Sequence, residues 1–203
     1  MPVAPDLLLI DFDGVLADLD ERRRHHALAQ ATGTMASDIA HVLAQHPWQP
    51  GPHAPDPDAQ RCAALEAALA VTVTPAQWHA ARMAATTIRR DCQALLLQVS
   101  RHTPVAVLSN NPAALSGPIA QALAIDALPA SRVLTSGALG LRKPDPACFH
   151  AALGQLGASA ARTLFIDNLF ANVQGARSAG LQADTAHHGQ SLRRVLKRFH
   201  LLR

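Results

Sequence analysis

Aromatic residues and cysteines are scarce in this sequence, and their scarcity excludes several classes of protein. Only 3% of the 203 residues are aromatic, and none is tyrosine. The chain therefore lacks the aromatic residues, interleaved with basic ones, that stack against nucleic acid bases. The three cysteines, Cys62, Cys92 and Cys148, are scattered and form no CxxC pair. This pattern predicts reduced thiols in a reducing compartment rather than a disulfide framework.

Long hydrophobic runs are also missing near the N-terminus. The first apolar run, Leu7 to Ile10, has 4 residues and no basic segment before it. A signal peptide needs an apolar run of about 7–15 residues, and a membrane-spanning helix needs about 20. We therefore expect neither a signal peptide nor a membrane span, and we predict a cytoplasmic protein.

Charge is slightly in excess on the basic side, with a formal net value of +3. The basic residues concentrate in "ERRRHH", from residue 21, and in the C-terminal "SLRRVLKRFHLLR". We interpret both runs as solvated faces of helices. Nucleic acid is accordingly not an expected partner.

Short apolar runs divide the chain in a pattern typical of a layered α/β protein. The runs lack strict alternation, which favours strands buried on both faces. Helical patterns separate them, so the strands are predicted to be parallel. The predicted strands are Leu7 to Ile10, Val105 to Leu108, Val133 to Leu134, and Thr163 to Ile166.

The connection after the first strand is too long for a simple crossover. From residue 19 to residue 100 we predict only helices, interrupted by the proline-rich "PWQPGPHAPDPD". The prediction is a core formed by residues 1–18 and 101–203, carrying an all-helical subdomain over residues 19–100. Ligands of open α/β sheets bind at the carboxyl ends of the strands, so the insertion would act as a lid. Trp48 and Trp78 are candidates for lining its pocket, although packing in a core is the interpretation that we favour.

Polar residues follow each predicted strand. Because the carboxyl ends of parallel strands lie at one edge of a sheet, these side chains should gather there. Together they would form a site for a cation and an anion. They are Asp11, Asp13 and Gly14 after the first strand, Ser109, Asn110 and Asn111 after the second, Lys143 after the third, and Asp167 and Asn168 after the fourth.

This set of residues suits the transfer of a phosphate group. Crowded carboxylates repel each other, and Mg²⁺, which binds carboxylates and substrate phosphates, would relieve the repulsion. Ser109 and backbone N–H groups could bind phosphate oxygens, and Lys143 could neutralise developing charge. Of Asp11 and Asp13, one could attack phosphorus while the other exchanges protons with the leaving alcohol and with water. Each feature taken alone also fits a turn, a helix cap or a solvated side chain.

Four segments together resemble the motifs of the haloacid dehalogenase-like (HAD) hydrolase superfamily. They are "DFDGVLAD", "VAVLSNN", "GLRKPDPACF" and "TLFIDNLFANVQGARSAG". The resemblance implies a Rossmann-like, three-layer α/β/α core with a parallel sheet and a small all-helical cap. It further implies a Mg²⁺ cofactor, with Asp11 as nucleophile and Asp13 as acid and base.

The same resemblance assigns the remaining site residues. Ser109, Asn110 and Lys143 would bind phosphate. The metal ligands would be Asp11, Asp13 through its main-chain carbonyl, and the fourth-motif residues Asp167 and Asn168.

The fourth motif departs from the family pattern at Asn168. Many members have two adjacent acids here, whereas this chain has Asp167 followed by asparagine. An amide oxygen can bind a metal, but as a neutral dipole. We therefore expect weaker Mg²⁺ binding than a carboxylate would give.

The favoured function is Mg²⁺-dependent hydrolysis of a small phosphorylated metabolite through an aspartyl-phosphate. Three alternatives stay open: a 2-haloacid dehalogenase, a phosphosugar mutase, and a non-catalytic binding protein whose site decayed at Asn168. Asp13 argues against the dehalogenase, since no leaving alcohol needs a proton in that reaction. The sequence leaves the oligomeric state open.

Overall fold

The computed structural model describes residues 4–46 and 57–202. The chain divides into two compact units, one formed by Met1–Asp18 with Ile88–Arg203 and the other by Leu19–Thr87. The predicted insertion was longer, since it extended to residue 100. Trp48 and most of the proline-rich segment lie outside the described residues.

Five parallel strands form the sheet of the first unit, in the order β5-β4-β1-β6-β7. Two further short strands, β2 and β3, pair with each other where the chain passes between the units. The strands of the described residues are β1 (Leu7–Ile10), β2 (Ala17–Leu19), β3 (Thr86–Ile88), β4 (Val105–Ser109), β5 (Val133–Thr135), β6 (Thr163–Asp167) and β7 (Gln182–Thr185).

The predicted parallel α/β sheet is confirmed, and all four predicted strands are present within one or two residues of their expected bounds. Strand β7 was not predicted. Its sequence, Gln-Ala-Asp-Thr, is only partly buried at the sheet edge. An edge strand needs no continuous apolar run, so it lacked the signal by which the other strands were found.

Helices flank the sheet and make up the second unit. The prediction of helices alone from residue 19 to residue 100 is wrong at β3, whose β-branched residues favour a strand. The α-helices are α1 (Glu21–Thr32), α2 (Ala36–Gln45), α3 (Pro57–Leu69), α4 (Pro75–Ala84), α5 (Arg90–Ser100), α6 (Ser116–Leu123), α7 (Ser136–Leu139), α8 (Pro146–Leu156), α9 (Phe170–Ser178) and α10 (Gly189–Arg198).

Local sequence accounts for where several helices begin and end. The Asp145 carboxylate accepts a hydrogen bond from Ala147 N (2.9 Å) at the start of α8, and Pro146 occupies the first turn. Gly157 ends that helix with φ 62°, a left-handed conformation that glycine adopts without strain. The bounds of α8 are thus set by residues within and next to the helix itself.

The core of the first unit lies against both faces of the sheet. On one face, Leu9 and Phe165 of the central strands pack with Phe149 of α8 and Val173 of α9. Leu8, whose side chain alternates to the opposite face, is also fully buried. Helix α5 belongs to this unit rather than to the insertion, because its apolar residues are buried and it packs on β4 and α10.

The second unit contains α1 to α4 around its own apolar core. Leu28, Ile39, Leu65 and Trp78 are almost completely buried there. The expected core packing of Trp78 is therefore confirmed. None of the helices within the described residues is long and apolar enough to cross a membrane.

Candidate active site

The carboxyl ends of β1 and β6 bring three of the predicted residues together. The two strands pair in parallel, with Ile10 opposite Ile166, so the acids that follow them lie side by side. Lys143 Nζ lies 2.7 Å from Asp11 Oδ1 and 2.7 Å from Asp167 Oδ2. All three of these side chains are buried. Two carboxylates and one ammonium group thus form a cluster at the carboxyl ends of the strands.

Burial makes the negative charge in this cluster costly. The pKa of Asp11 is raised to about 7, mainly because burial disfavours the charged form, against the attraction of Lys143. Asp167 and Asp13 raise it further. Burial lowers the pKa of Lys143, but attraction to the two carboxylates outweighs burial, so its pKa rises and it stays protonated. A cation next to Asp11 would favour the ionised carboxylate that a nucleophile requires.

Asp167 mainly holds other parts of the site in place. Its Oδ2 accepts hydrogen bonds from Lys143 Nζ (2.7 Å) and Asn172 Nδ2 (2.9 Å), and its Oδ1 accepts one from Leu169 N (2.8 Å). Three of the roughly four lone-pair positions of a carboxylate are therefore used. Asp167 orients Lys143, and direct coordination of a metal by Asp167 stays a prediction.

Asn110 holds the backbone of Lys143. Its Oδ1 accepts a hydrogen bond from Lys143 N (3.0 Å), and its Nδ2 donates one to Lys143 O (3.0 Å). Both ends of the amide thus help to align the loop that carries the ammonium group. Binding of phosphate by the Asn110 side chain stays a prediction, for which one N–H of its Nδ2 group is left over by these two contacts.

Asn111 is a site residue that the sequence analysis did not assign a role. Its Nδ2 donates to Asp13 Oδ2 (2.7 Å) and to Ser109 Oγ (2.6 Å), and its side chain is buried. It therefore links the proposed acid and base to the proposed phosphate-binding hydroxyl. The position of Asn111 shortly after the end of β4 could have marked it as a site residue. The neighbouring Asn110 is the same residue type in the same place, so the sequence did not distinguish the two.

Gly14 and Asn168 lie against each other beside the two acids. Gly14 has φ 80°, and a Cβ there would lie 2.3 Å from Asn168 Nδ2, so this position requires glycine. Asn168 Oδ1 is buried and accepts no hydrogen bond from the part of the chain that the structure describes. A buried oxygen without a donor is costly unless a ligand supplies a positive partner.

The donors at this edge fit a magnesium ion that is bound mainly by oxygen atoms. Across residues 4–46 and 57–202, no three His, Cys, Asp or Glu side chains form a metal-binding group. The site instead offers the Asp11 carboxylate and Asn168 Oδ1, which has no donor among the described residues; coordination by the Asp13 main-chain carbonyl stays a prediction. Mg²⁺ accepts such oxygen ligands together with water and substrate phosphate.

Helix α9 packs closely against the loop that carries Lys143 and helps to fix the position of that loop. A Cβ at Gly175 would lie 2.0 Å from Pro144 O, so the helix approaches the loop main chain directly. The same helix carries Asn172, which binds Asp167. A side chain at this position would displace the loop that presents the ammonium group.

Comparison with known proteins agrees with this geometry. A family model described as haloacid dehalogenase-like hydrolase matches residues 5–180. Phosphatase MT3486 of Mycobacterium tuberculosis (strain CDC 1551 / Oshkosh) is 38% identical over 84 residues. That alignment covers 41% of this chain and 38% of the relative, so it spans well under half of either protein.

Two solved structures share the fold at low sequence identity. The HAD family enzyme bt-2542 from Bacteroides thetaiotaomicron, in complex with magnesium and inorganic phosphate, is 19% identical with a TM-score of 0.66, covering 91% of this chain and 96% of that one. The 2-haloacid dehalogenase from Pseudomonas syringae pv. Tomato DC3000 is also 19% identical, with a TM-score of 0.62, covering 98% and 100%. With the family model matching most of the chain, this protein belongs to the haloacid dehalogenase-like hydrolase family.

Proposed function

We propose that this protein is a Mg²⁺-dependent phosphomonoester hydrolase that acts on a small phosphorylated metabolite. The observation that carries the proposal is the buried Asp11 carboxylate, held 2.7 Å from Lys143 Nζ at the carboxyl end of β1. The neighbouring oxygen of Asn168 receives no hydrogen bond from residues 4–46 and 57–202, and Asp13 is held by Asn111. The partial match to a phosphatase and the fold shared with a magnesium- and phosphate-bound enzyme support the same reaction class.

The chain's own residues can carry out two displacement steps. Asp11 attacks phosphorus, an Asp11 oxygen–phosphorus bond forms, and the phosphorus–alcohol bond breaks as Asp13 gives its proton to the leaving oxygen. Asp13 then takes a proton from water, which attacks phosphorus and releases phosphate and the free Asp11 carboxylate. Ser109 and Lys143 hold the phosphate oxygens while charge builds up on them.

A bound Mg²⁺ would neutralise charge on Asp11 and on the phosphate group. Asp11, the main-chain oxygen of Asp13, and Asn168 are its proposed ligands. Because Asn168 is neutral, binding would be weaker than with a carboxylate at that position.

The helical unit Leu19–Thr87 is proposed as the cap of this hydrolase. Its place in the chain supports this role, since it is inserted between the segment that carries Asp11 and Asp13 and the rest of the core. In this proposal the unit excludes water and selects the substrate.

Dehalogenation is the second candidate, since a 2-haloacid dehalogenase shares the fold. Asp13 distinguishes the two reactions. A halide leaves without a proton, whereas Asn111 here holds a second acid in a defined position, as proton transfer to an alcohol requires.

Hydrolysis of p-nitrophenyl phosphate tests the proposal. We expect activity with Mg²⁺, its loss in EDTA, and its restoration when Mg²⁺ is added back. Asp11→Asn should abolish turnover, whereas Asp126→Asn, the same chemical change at an exposed site, should leave it unchanged. Turnover that survives Asp11→Asn would refute Asp11 as nucleophile.

A parallel assay separates the alternatives. Release of chloride from 2-chloropropionate without phosphatase activity would establish the dehalogenase. Calorimetric Mg²⁺ binding without turnover of a panel of phosphorylated metabolites would favour the non-catalytic binding protein.

A further inference from the structure

One arginine of the basic run "ERRRHH" is not solvated. Arg24 lies on α1 and is only 5% exposed, so the interpretation of this run as a solvated face is wrong at this position. Its guanidinium carbon lies 4.0 Å from the centre of the Trp78 ring, which belongs to α4 of the same unit. This contact with the ring covers one face of the guanidinium group. It does not satisfy the N–H donors, which lie in the plane of the group and still need acceptors.

Three buried donors in this unit lack acceptors. Arg24 Nε, Arg61 Nε and Trp78 Nε1 form no hydrogen bond with any residue in the described ranges. Guanidinium and indole N–H groups can only donate. Most buried polar groups have a partner, and an unpartnered group calls for an explanation such as a bound ion or water. Three such donors in one unit favour a ligand that presents several acceptor atoms.

Arg61 and Arg82 lie close enough to Arg24 to act on it electrostatically. Burial, opposed by Glu21 and Asp58, lowers the pKa of Arg24, and Arg61 and Arg82 lower it further. Arg24 Nη1 lies 3.7 Å from Glu21 Oε1, on a side chain that is 53% exposed. The site therefore favours an acceptor that also carries negative charge.

We propose that Arg24, Arg61 and Trp78 form a binding site for an oxyanion group, either a carboxylate or a phosphate-type group. Guanidinium groups match the planar, paired oxygens of such groups, and the indole N–H supplies one further donor. All three residues lie in the helical unit Leu19–Thr87. The site uses none of the residues of the candidate active site.

Tryptophan fluorescence provides a direct assay. The sequence has 2 tryptophans, so the Trp48→Phe variant leaves Trp78 as the reporter beside Arg24. Sodium sulfate is titrated into this full-length protein in EDTA at constant ionic strength. We expect a saturable fluorescence change, and we expect Arg61→Gln to raise the dissociation constant at least tenfold.

Matched variants separate this site from charge screening and from the active site. Arg22→Gln removes the same charge from an exposed position on α1 and should leave sulfate binding unchanged. Ser109→Ala should also leave the Trp78 response unchanged. A response that is absent, that survives Arg61→Gln unaltered, or that is lost only in Ser109→Ala overturns the proposal.

Arg61 is chosen because it is only half-buried, whereas Arg24→Gln removes a core cation stacked on Trp78. Circular dichroism verifies that Arg61→Gln is folded. Arg61→Lys, which keeps the charge but loses the Nε donor, should weaken sulfate binding less than Arg61→Gln does. Equal binding by wild type, Arg61→Lys and Arg61→Gln would overturn the site.

Kinetics then identify the source of the group, and this step alone depends on the proposed phosphatase function. If Arg61→Gln raises KM at least tenfold for a carboxylate-bearing phosphomonoester but not for p-nitrophenyl phosphate, the group belongs to the substrate. If sulfate binding is lost while both KM values stay the same, the site binds a free anion. Either result supports the site, and the fluorescence titration tests it even in a protein without phosphatase activity.

Discussion

The substitution Asn168→Asp tests the metal site most directly. Asn168 Oδ1 is buried without a donor beside Gly14, where a Cβ would lie 2.3 Å from the Asn168 amide nitrogen. A carboxylate at position 168 would therefore occupy nearly the same space and present a negative charge to a bound cation. We expect Mg²⁺ to bind more tightly to the variant than to the wild type.

The structure allows the size of the effect to be estimated. Two unit charges about 4 Å apart interact by about 4 kcal/mol at the effective dielectric constant of a protein site. The cost of removing water from the cation and from the new carboxylate offsets much of this gain. We expect a net gain of about 1.4 kcal/mol, which is a tenfold fall in the Mg²⁺ dissociation constant. At saturating Mg²⁺ this gain enlarges the Mg²⁺-induced rise in Tm by roughly 3–6 °C for a chain of this size.

The same charge should act in the opposite direction without metal. In EDTA the new carboxylate only adds repulsion to a cluster in which the pKa of Asp11 is already raised to about 7. The variant should therefore unfold at a lower temperature than the wild type in EDTA and show a larger Mg²⁺-induced rise in Tm.

Calorimetric titration and thermal unfolding with and without Mg²⁺ measure both effects. Gln155→Glu is the matched control, because it adds the same charge at an exposed position of the same unit and should leave the Mg²⁺ response unchanged. Equal Mg²⁺ affinity in wild type and Asn168→Asp would refute the role of Asn168 as a metal ligand.

Three further predictions concern packing, proton transfer and thiol chemistry. Gly175→Ala should lower the free energy of unfolding by about 1–3 kcal/mol through overpacking. Gly154→Ala is the control: a Cβ at this position has no described atom within 4 Å, so the substitution should stabilise α8 by about 0.5–1 kcal/mol. Urea unfolding measures both changes, and equal effects would contradict the contact between Gly175 and Pro144. Asn111→Ala should lower kcat, because Asp13 loses the N–H donor that orients it, and an unchanged kcat would contradict its positioning role. Burial raises the pKa of Cys92 to about 12 and that of Cys148 to about 11. At pH 8, Ellman's reagent should therefore react with at most one of the 3 thiols in the folded protein and with all of them after unfolding. Fast reaction of two or more thiols in the folded protein would contradict the burial.

Much of the architecture follows from local signals in the chain. Apolar runs such as Leu7–Ile10 identify strands that are buried on both faces, because a solvated face would require polar alternation. Asp145, Pro146 and Gly157 mark the ends of a helix through hydrogen bonding and φ preferences that depend only on neighbouring residues. Local signals fail at β7, where a short polar sequence becomes a strand only because β6 offers it a partner.

The sequence by itself determined which chemical groups follow the strands, because chain order and parallel pairing bring strand ends to one edge. Only the tertiary structure decided which group each side chain contacts. Adjacent asparagines in "LSNN" have the same chemistry, yet Asn110 binds the backbone of Lys143 while Asn111 bridges Asp13 and Ser109. Hydrogen bonds form only over about 3 Å and in defined directions, so partners distant in sequence are selected by three-dimensional packing, which no local pattern encodes.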